Sequence, residues 1–256
     1  MVMSFTAWKK NAIKKMLTLG IPYFVFSLIT WGLKSFFSGS VNTEVQSIGY
    51  HLFIHPISPY WYLYALLFIF LITPTFVDTK VYYIALVVAG LINVLSNVVD
   101  SYAVEIVAKN QIWFVMGMGV CMFDIPKRAE RNKYLGILLA CLFLLLSLVV
   151  WYCAIDYKVV SFLLGVIACA AVVQSFCCLC KKQSALAPYT MPIFLMHTIF
   201  AAGFRTLLLK LGFAGRMIHV VVGLFATFLC PIIAAEVMKR TKLDFLMCPN
   251  KYLKRR

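Results

Sequence analysis

Apolar stretches recur along the chain at about 16–34, 58–77, 81–99, 106–123, 134–155, 159–179, 187–209 and 217–238, with short polar loops between them. Each approaches the roughly 20 residues that a helix needs to cross a hydrocarbon core about 30 Å thick. Several are continuous, as in Leu138–Trp151 (LLACLFLLLSLVVW), with none of the every-second-residue alternation of a barrel strand. In lipid only helices and closed barrels satisfy every backbone N–H and C=O. The pattern therefore predicts an all-α fold, a polytopic transmembrane helical bundle of about eight spans. Trp61, Tyr62, Tyr82, Tyr83, Trp113, Trp151 and Tyr152 fall near the expected span ends, where amphipathic rings favour the headgroup level.

Loop charge sets the direction of threading. With the N-terminus in the cytoplasm, the inner loops and termini hold eighteen of the 24 basic residues: Lys9, Lys10, Lys14, Lys15, Lys80, Lys127, Arg128, Arg131, Lys133, Lys181, Lys182, Lys239, Arg240, Lys242, Lys251, Lys254, Arg255 and Arg256. Lys34, Lys109, Lys158, Arg205, Lys210 and Arg216 remain outside or within spans. Eight spans then place both termini in the cytoplasm.

Composition agrees with this pattern. Hydrophobic residues make up 63% of 256 positions, charged residues 13%, and the mean hydropathy is +0.91. A soluble domain is about one quarter charged. A net charge of +15 would direct a soluble protein toward nucleic acid. Here membrane insertion places the cations, which also suit anionic lipid, so the bilayer is the expected partner and nucleic acid is not. Cys121, Cys141, Cys153, Cys169 and Cys230 lie inside spans and read as small apolar packing residues. Cys177, Cys178 and Cys180 lack a second spaced pair or a nearby His, so no metal is expected. Residues 1–15, with four lysines alongside Phe5 and Trp8, read as an amphipathic segment on the cytoplasmic interface rather than a cleavable leader. Residues 35–57 read as an outer loop, and a single membrane domain is expected over 1–256.

Ionisable groups within spans are costly, so each is a candidate for function. His197 falls in the middle of the seventh span, and Arg205 eight residues later lies on broadly the same helix face. His197 is either a neutral imidazole satisfied within the bundle or a polar group that positions or deprotonates a hydroxyl. Arg205 either snorkels to headgroups or holds a carboxylate or phosphate of an acceptor. Glu236 reads as a surface partner of Lys239 and Arg240. His51 and His55, before Pro56, read as loop residues near the outer mouth. No phosphate-cradling glycine loop, zinc-protease helix or nucleophile elbow is present.

Three segments carry a family resemblance. They are Lys9–Phe24 (KKNAIKKMLTLGIPYF), Pro59–Phe68 (PYWYLYALLF) and Ser184–Arg205 around Met191–His197 (MPIFLMH). In order and spacing they resemble the acyltransferase-3 family of membrane O-acyltransferases along nearly the whole chain. The resemblance implies a bacterial inner-membrane enzyme that takes an acetyl group from acetyl-CoA, with no tightly bound cofactor, and transfers it to a sugar hydroxyl of an envelope polysaccharide. It implies that Lys9, Lys10, Lys14 and Lys15 meet the CoA phosphates, where the family favours arginine. It further implies that His197 is catalytic and that Arg205 and Trp61 bind substrate. The family's first-span His has no counterpart here. The expectation is therefore an N-terminally truncated or inactive chain, or one whose missing helices come from another polypeptide. The alternative to this enzyme is an export or transport protein without covalent chemistry, against which counts the single clearly midspan ionisable group.

Overall fold

The structure, a computed structural model, describes residues 5–37, 46–73, 79–125, 133–179, 185–213, 215–249 and 252. Among these residues there is no strand. The helices are α1 (Phe5–Lys15), α2 (Ile21–Phe36), α3 (Trp61–Ile72), α4 (Thr79–Leu95), α5 (Tyr102–Met122), α6 (Lys133–Tyr152), α7 (Lys158–Leu179), α8 (Thr190–Lys210) and α9 (Arg216–Arg240). The all-α membrane fold is as the hydrophobic pattern predicts.

Among the described residues, six helices are long and apolar enough to cross a bilayer: Trp8–Phe36, Thr79–Val98, Tyr134–Tyr152, Lys158–Cys177, Ala187–Lys210 and Arg216–Arg240. Large apolar side chains stand open along them, Leu138 and Leu148 each at 64% exposure. Two of the eight expected spans fold as helix but fall outside this set. Helix α3 has 12 residues, which at 1.5 Å per residue is about 18 Å, too little for a hydrocarbon core. Helix α5 has the length, with 21 residues, but carries Glu105, Lys109, Asn110 and Gln111.

The expected separation of an interfacial segment from the first span is not observed over residues 8–15. Lys15 and Gly20, on either side of a π-helical turn at Met16–Gly20, both keep right-handed helical dihedrals. Trp8–Phe36 is thus one helix of 29 residues, about 44 Å long. No glycine or proline interrupts it before Gly20 and Pro22. The π turn lies just ahead of Pro22, where a missing N–H interrupts the ladder. A rod longer than the hydrocarbon leaves its lysine-bearing end outside.

Contacts divide the molecule into two compact units, Met1–Val115 with Leu186–Arg256, and Met116–Ala185. In the first, Tyr23, Phe26, Ile57, Tyr60, Leu63, Leu195, Met196, Ala235 and Met247 form the core. Helices α8 and α9 pack along one another. The carboxyl-terminal stretch folds back so that Met247 is buried in that core. In the second unit, α6 packs on α7. A Cβ placed on Gly136 would lie 2.6 Å from Ser175 Oγ and 3.1 Å from Ser175 Cα, so glycine is what permits this close backbone approach.

The segment expected as an outer loop folds back along α2 over its described part, residues 46–57. Trp31 Nε1 donates to the Gln46 carbonyl at 2.9 Å. Two turns further down α2, Tyr23 Oη donates to the Leu52 carbonyl at 2.7 Å. The chain then returns, and Tyr60 meets Thr30 before α3 begins. The segment therefore re-enters the helix cluster. Backbone carbonyls left open where so short a helical turn ends need partners from other elements. The π turn Tyr50–Ile54 finds them in the hydroxyls of Tyr23 and Tyr64, the latter donating to Phe53 O at 3.2 Å.

Candidate functional site

The polar centre of the first unit begins at Tyr60, which is fully buried. Its hydroxyl donates to the Leu195 carbonyl on α8 at 2.8 Å. With its only proton so engaged, Tyr60 accepts from Thr30 Oγ1 on α2 at 3.0 Å. One phenol thereby ties α2, α3 and α8 together. Thr198 lies beside Tyr60, yet its buried Oγ1 makes no hydrogen bond of good geometry. Ser27 Oγ, fully buried one turn from Thr30, is likewise unpaired. A buried hydroxyl left unpaired costs about 1–3 kcal/mol, so Thr198 beside the phenol and Ser27 one turn from Thr30 mark a place not shaped for stability alone. Tyr23, Ser27 and Thr30 recur at four- and three-residue intervals and share one face of α2.

His197 sits one residue before Thr198 and is half-buried. Its Nδ1 lies 2.8 Å from the Phe194 carbonyl and 3.1 Å from the Ile193 carbonyl of its own helix. Carbonyls only accept, so Nδ1 carries the proton. In the neutral ring Nε2 then holds the lone pair, and it has no hydrogen-bond partner among the described residues. The imidazole is satisfied within its helix at one nitrogen and available at the other. A ring path links it to Trp61: His197 to Phe194 at 6.3 Å, Phe194 to Tyr62 at 5.9 Å, and Tyr62 to Trp61 at 6.1 Å.

The family model described as an acyltransferase domain matches residues 2–236. The chain belongs to the acyltransferase-3 family. No curated protein and no solved structure matches it. As an acyltransferase-3 protein with six apolar helices of spanning length, it is a multi-pass membrane acyltransferase.

Within this acyltransferase-3 chain the candidate residues fall in three places. His197 and Trp61 adjoin Thr198 and Tyr60 in sequence and are joined to each other by the ring path through Phe194 and Tyr62. The lysines lie toward the other end of α3: Lys15 Nζ stands 4.2 Å from the centroid of the Phe70 ring, nine residues and about 14 Å along α3 from Trp61. Lys9, Lys10 and Lys14 are exposed, and Lys10 and Lys14 stand one turn apart on one face. Arg205 is exposed, eight residues and about 12 Å beyond His197, with no ion pair among the described residues. Glu236 pairs with Lys239 at 3.4 Å as expected, but its closer partner is Tyr189 Oη at 2.7 Å. Cys178 and Cys180 fall outside the residues whose side chains are described. The hydroxyls of Ser27, Thr30, Tyr60 and Thr198 were not apparent as a group before folding, although the polar face of α2 was readable.

Proposed function

We propose that this domain transfers an acetyl group from acetyl-CoA to a sugar hydroxyl of a cell-envelope polysaccharide, at the inner membrane. The observation that carries the reading is the geometry of His197, whose ring is held through Nδ1 by the Ile193 and Phe194 carbonyls and open at Nε2. Such a ring takes the proton of an acceptor hydroxyl as the oxygen attacks the thioester carbonyl. The tetrahedral adduct then collapses, the carbon–sulfur bond breaks, and the CoA thiolate recovers the proton from the imidazolium. Thr198, the next residue along α8, carries a buried hydroxyl without a hydrogen bond of good geometry. Lys9, Lys10 and Lys14 offer uncompensated charge for the donor's phosphates on the cytoplasmic side, as point charges without the bidentate fork of arginine. Arg205, at the other end of α8, would hold an anionic group of the acceptor, and Trp61 would wall the centre.

The test uses membranes that carry the full gene product, radiolabelled acetyl-CoA and the envelope polysaccharide fraction. Label is expected to enter alkali-labile ester. His197→Ala is expected to lower incorporation about 10²-fold or more while the protein remains membrane-inserted. Unchanged incorporation removes His197 from the reaction.

A further inference from the structure

The re-entrant segment carries a second arrangement of rings. His55 stacks on Tyr102, the first residue of α5, with centroids 4.0 Å apart and planes at 11°. Tyr50 lies parallel to His55 within 4°, at 6.0 Å. Tyr50 also meets His51 edge-on at 5.8 Å. His51 Nδ1 lies 3.2 Å from the His55 carbonyl, so it is the donor and Nε2 of the neutral ring is left as an acceptor. The Tyr50 and Tyr102 hydroxyls, the His55 ring nitrogens and His51 Nε2 have no hydrogen-bond partner among the described residues. Tyr102 is partly exposed, with no ring partner among those residues besides His55.

Flat rings edged by unsatisfied donors and acceptors match one class of ligand well. A pyranose has a face of C–H groups that covers an aromatic ring and a rim of hydroxyls that need partners. The near-parallel planes of Tyr50, His55 and Tyr102 orient the three rings together. Pinning Leu52 and Phe53 carbonyls to Tyr23 and Tyr64 fixes the backbone that carries them. A platform held by rigid neighbours binds with less ordering loss than a free loop. We infer that Tyr50, His55 and Tyr102, with His51 Nε2 at their rim, form the subsite that holds the sugar ring of the acceptor. This rests on the acyl-transfer reading for its purpose, but not for its chemistry. It makes the three rings determinants of acceptor specificity rather than catalytic residues.

Saturation-transfer NMR on the detergent-solubilised full-length protein tests it, with methyl glucoside and methyl galactoside as probes and glycerol as a polyol without a ring. The glycosides are expected to show saturation at their C–H face protons, and glycerol none. Tyr102→Leu should weaken glycoside binding about tenfold, the loss of one ring contact with its buried area, whereas Tyr102→Phe should retain most of it. Should Tyr102→Leu not fold, Tyr50→Leu against Tyr50→Phe makes the same comparison. Equal affinities in the Leu and Phe variants, or no glycoside signal in the unaltered protein, overturn the inference. Glycoside binding by a preparation unable to transfer acetyl groups sinks the acyl-transfer reading and leaves the subsite; acetyl transfer with unaltered affinity in Tyr102→Leu does the reverse.

Discussion

A polar side chain among apolar neighbours is informative through its unused capacity. Tyr60 uses all it has within the protein, giving its proton to Leu195 and accepting one from Thr30. Tyr60→Phe therefore strands a buried carbonyl and a buried threonine, and is expected to lower stability by about 1–3 kcal/mol. A reduced thermal midpoint of the solubilised protein would show this, and an unaltered midpoint would mean that water replaces the phenol. His197 differs in keeping Nε2 unused, and only its chemistry should suffer on substitution. Its midspan position was legible in the sequence because an ionisable group stands out against fifteen apolar neighbours. Ser27, Thr30 and Thr198 were not, since small hydroxyls are common in spans and bond to their own helix. Their significance comes from a phenol on another element that arrives between them.

At the scale of elements, the long apolar runs were the most readable feature, and α6, α7, α8 and α9 fall within a few residues of their expected limits. Misreadings occurred where apolar content and depth part company. Residues 46–57 are polar enough to pass for an exterior loop, yet tyrosine hydroxyls from two helices satisfy their carbonyls. Local sequence cannot show a partner that lies 29 residues away. Likewise, the lysines of residues 9–15 suggested an amphipathic segment parallel to the surface, whereas uninterrupted helical backbone carries them directly into the span. On that rod, Lys10 and Lys14 stand exposed one turn apart, and the proposed reading gives them the donor's phosphates. Lys10→Gln with Lys14→Gln should raise KM for acetyl-CoA about tenfold with little change in kcat, because each exposed charge contributes at most about 1 kcal/mol. Initial rates over a range of donor concentrations would separate the two constants, and a fall in kcat alone would contradict donor binding.

For the whole molecule, the distribution of Lys and Arg assigns orientation more firmly than any contact does. Reporter fusions within the loop that holds Lys127, Arg128 and Arg131 are expected to report the cytoplasm, as are fusions after Arg240. An exterior signal from either would reverse donor and acceptor sides. Two compact units also imply separable tolerance to change. Gly136→Leu forces a side chain into the Ser175 backbone and is expected to loosen α6 from α7, read as faster proteolysis within these two helices, with glycoside binding in the first unit retained.

That glycine has a further consequence for how the protein is made. Two apolar helices able to touch main chain to main chain need no later partner to shield them, and can leave the insertion machinery as a finished hairpin. On a ribosome stalled before α8 emerges, a photo-crosslinker on α6 beside Gly136, with the glycine kept, should already capture α7, so biogenesis would proceed in modules rather than await the complete polypeptide.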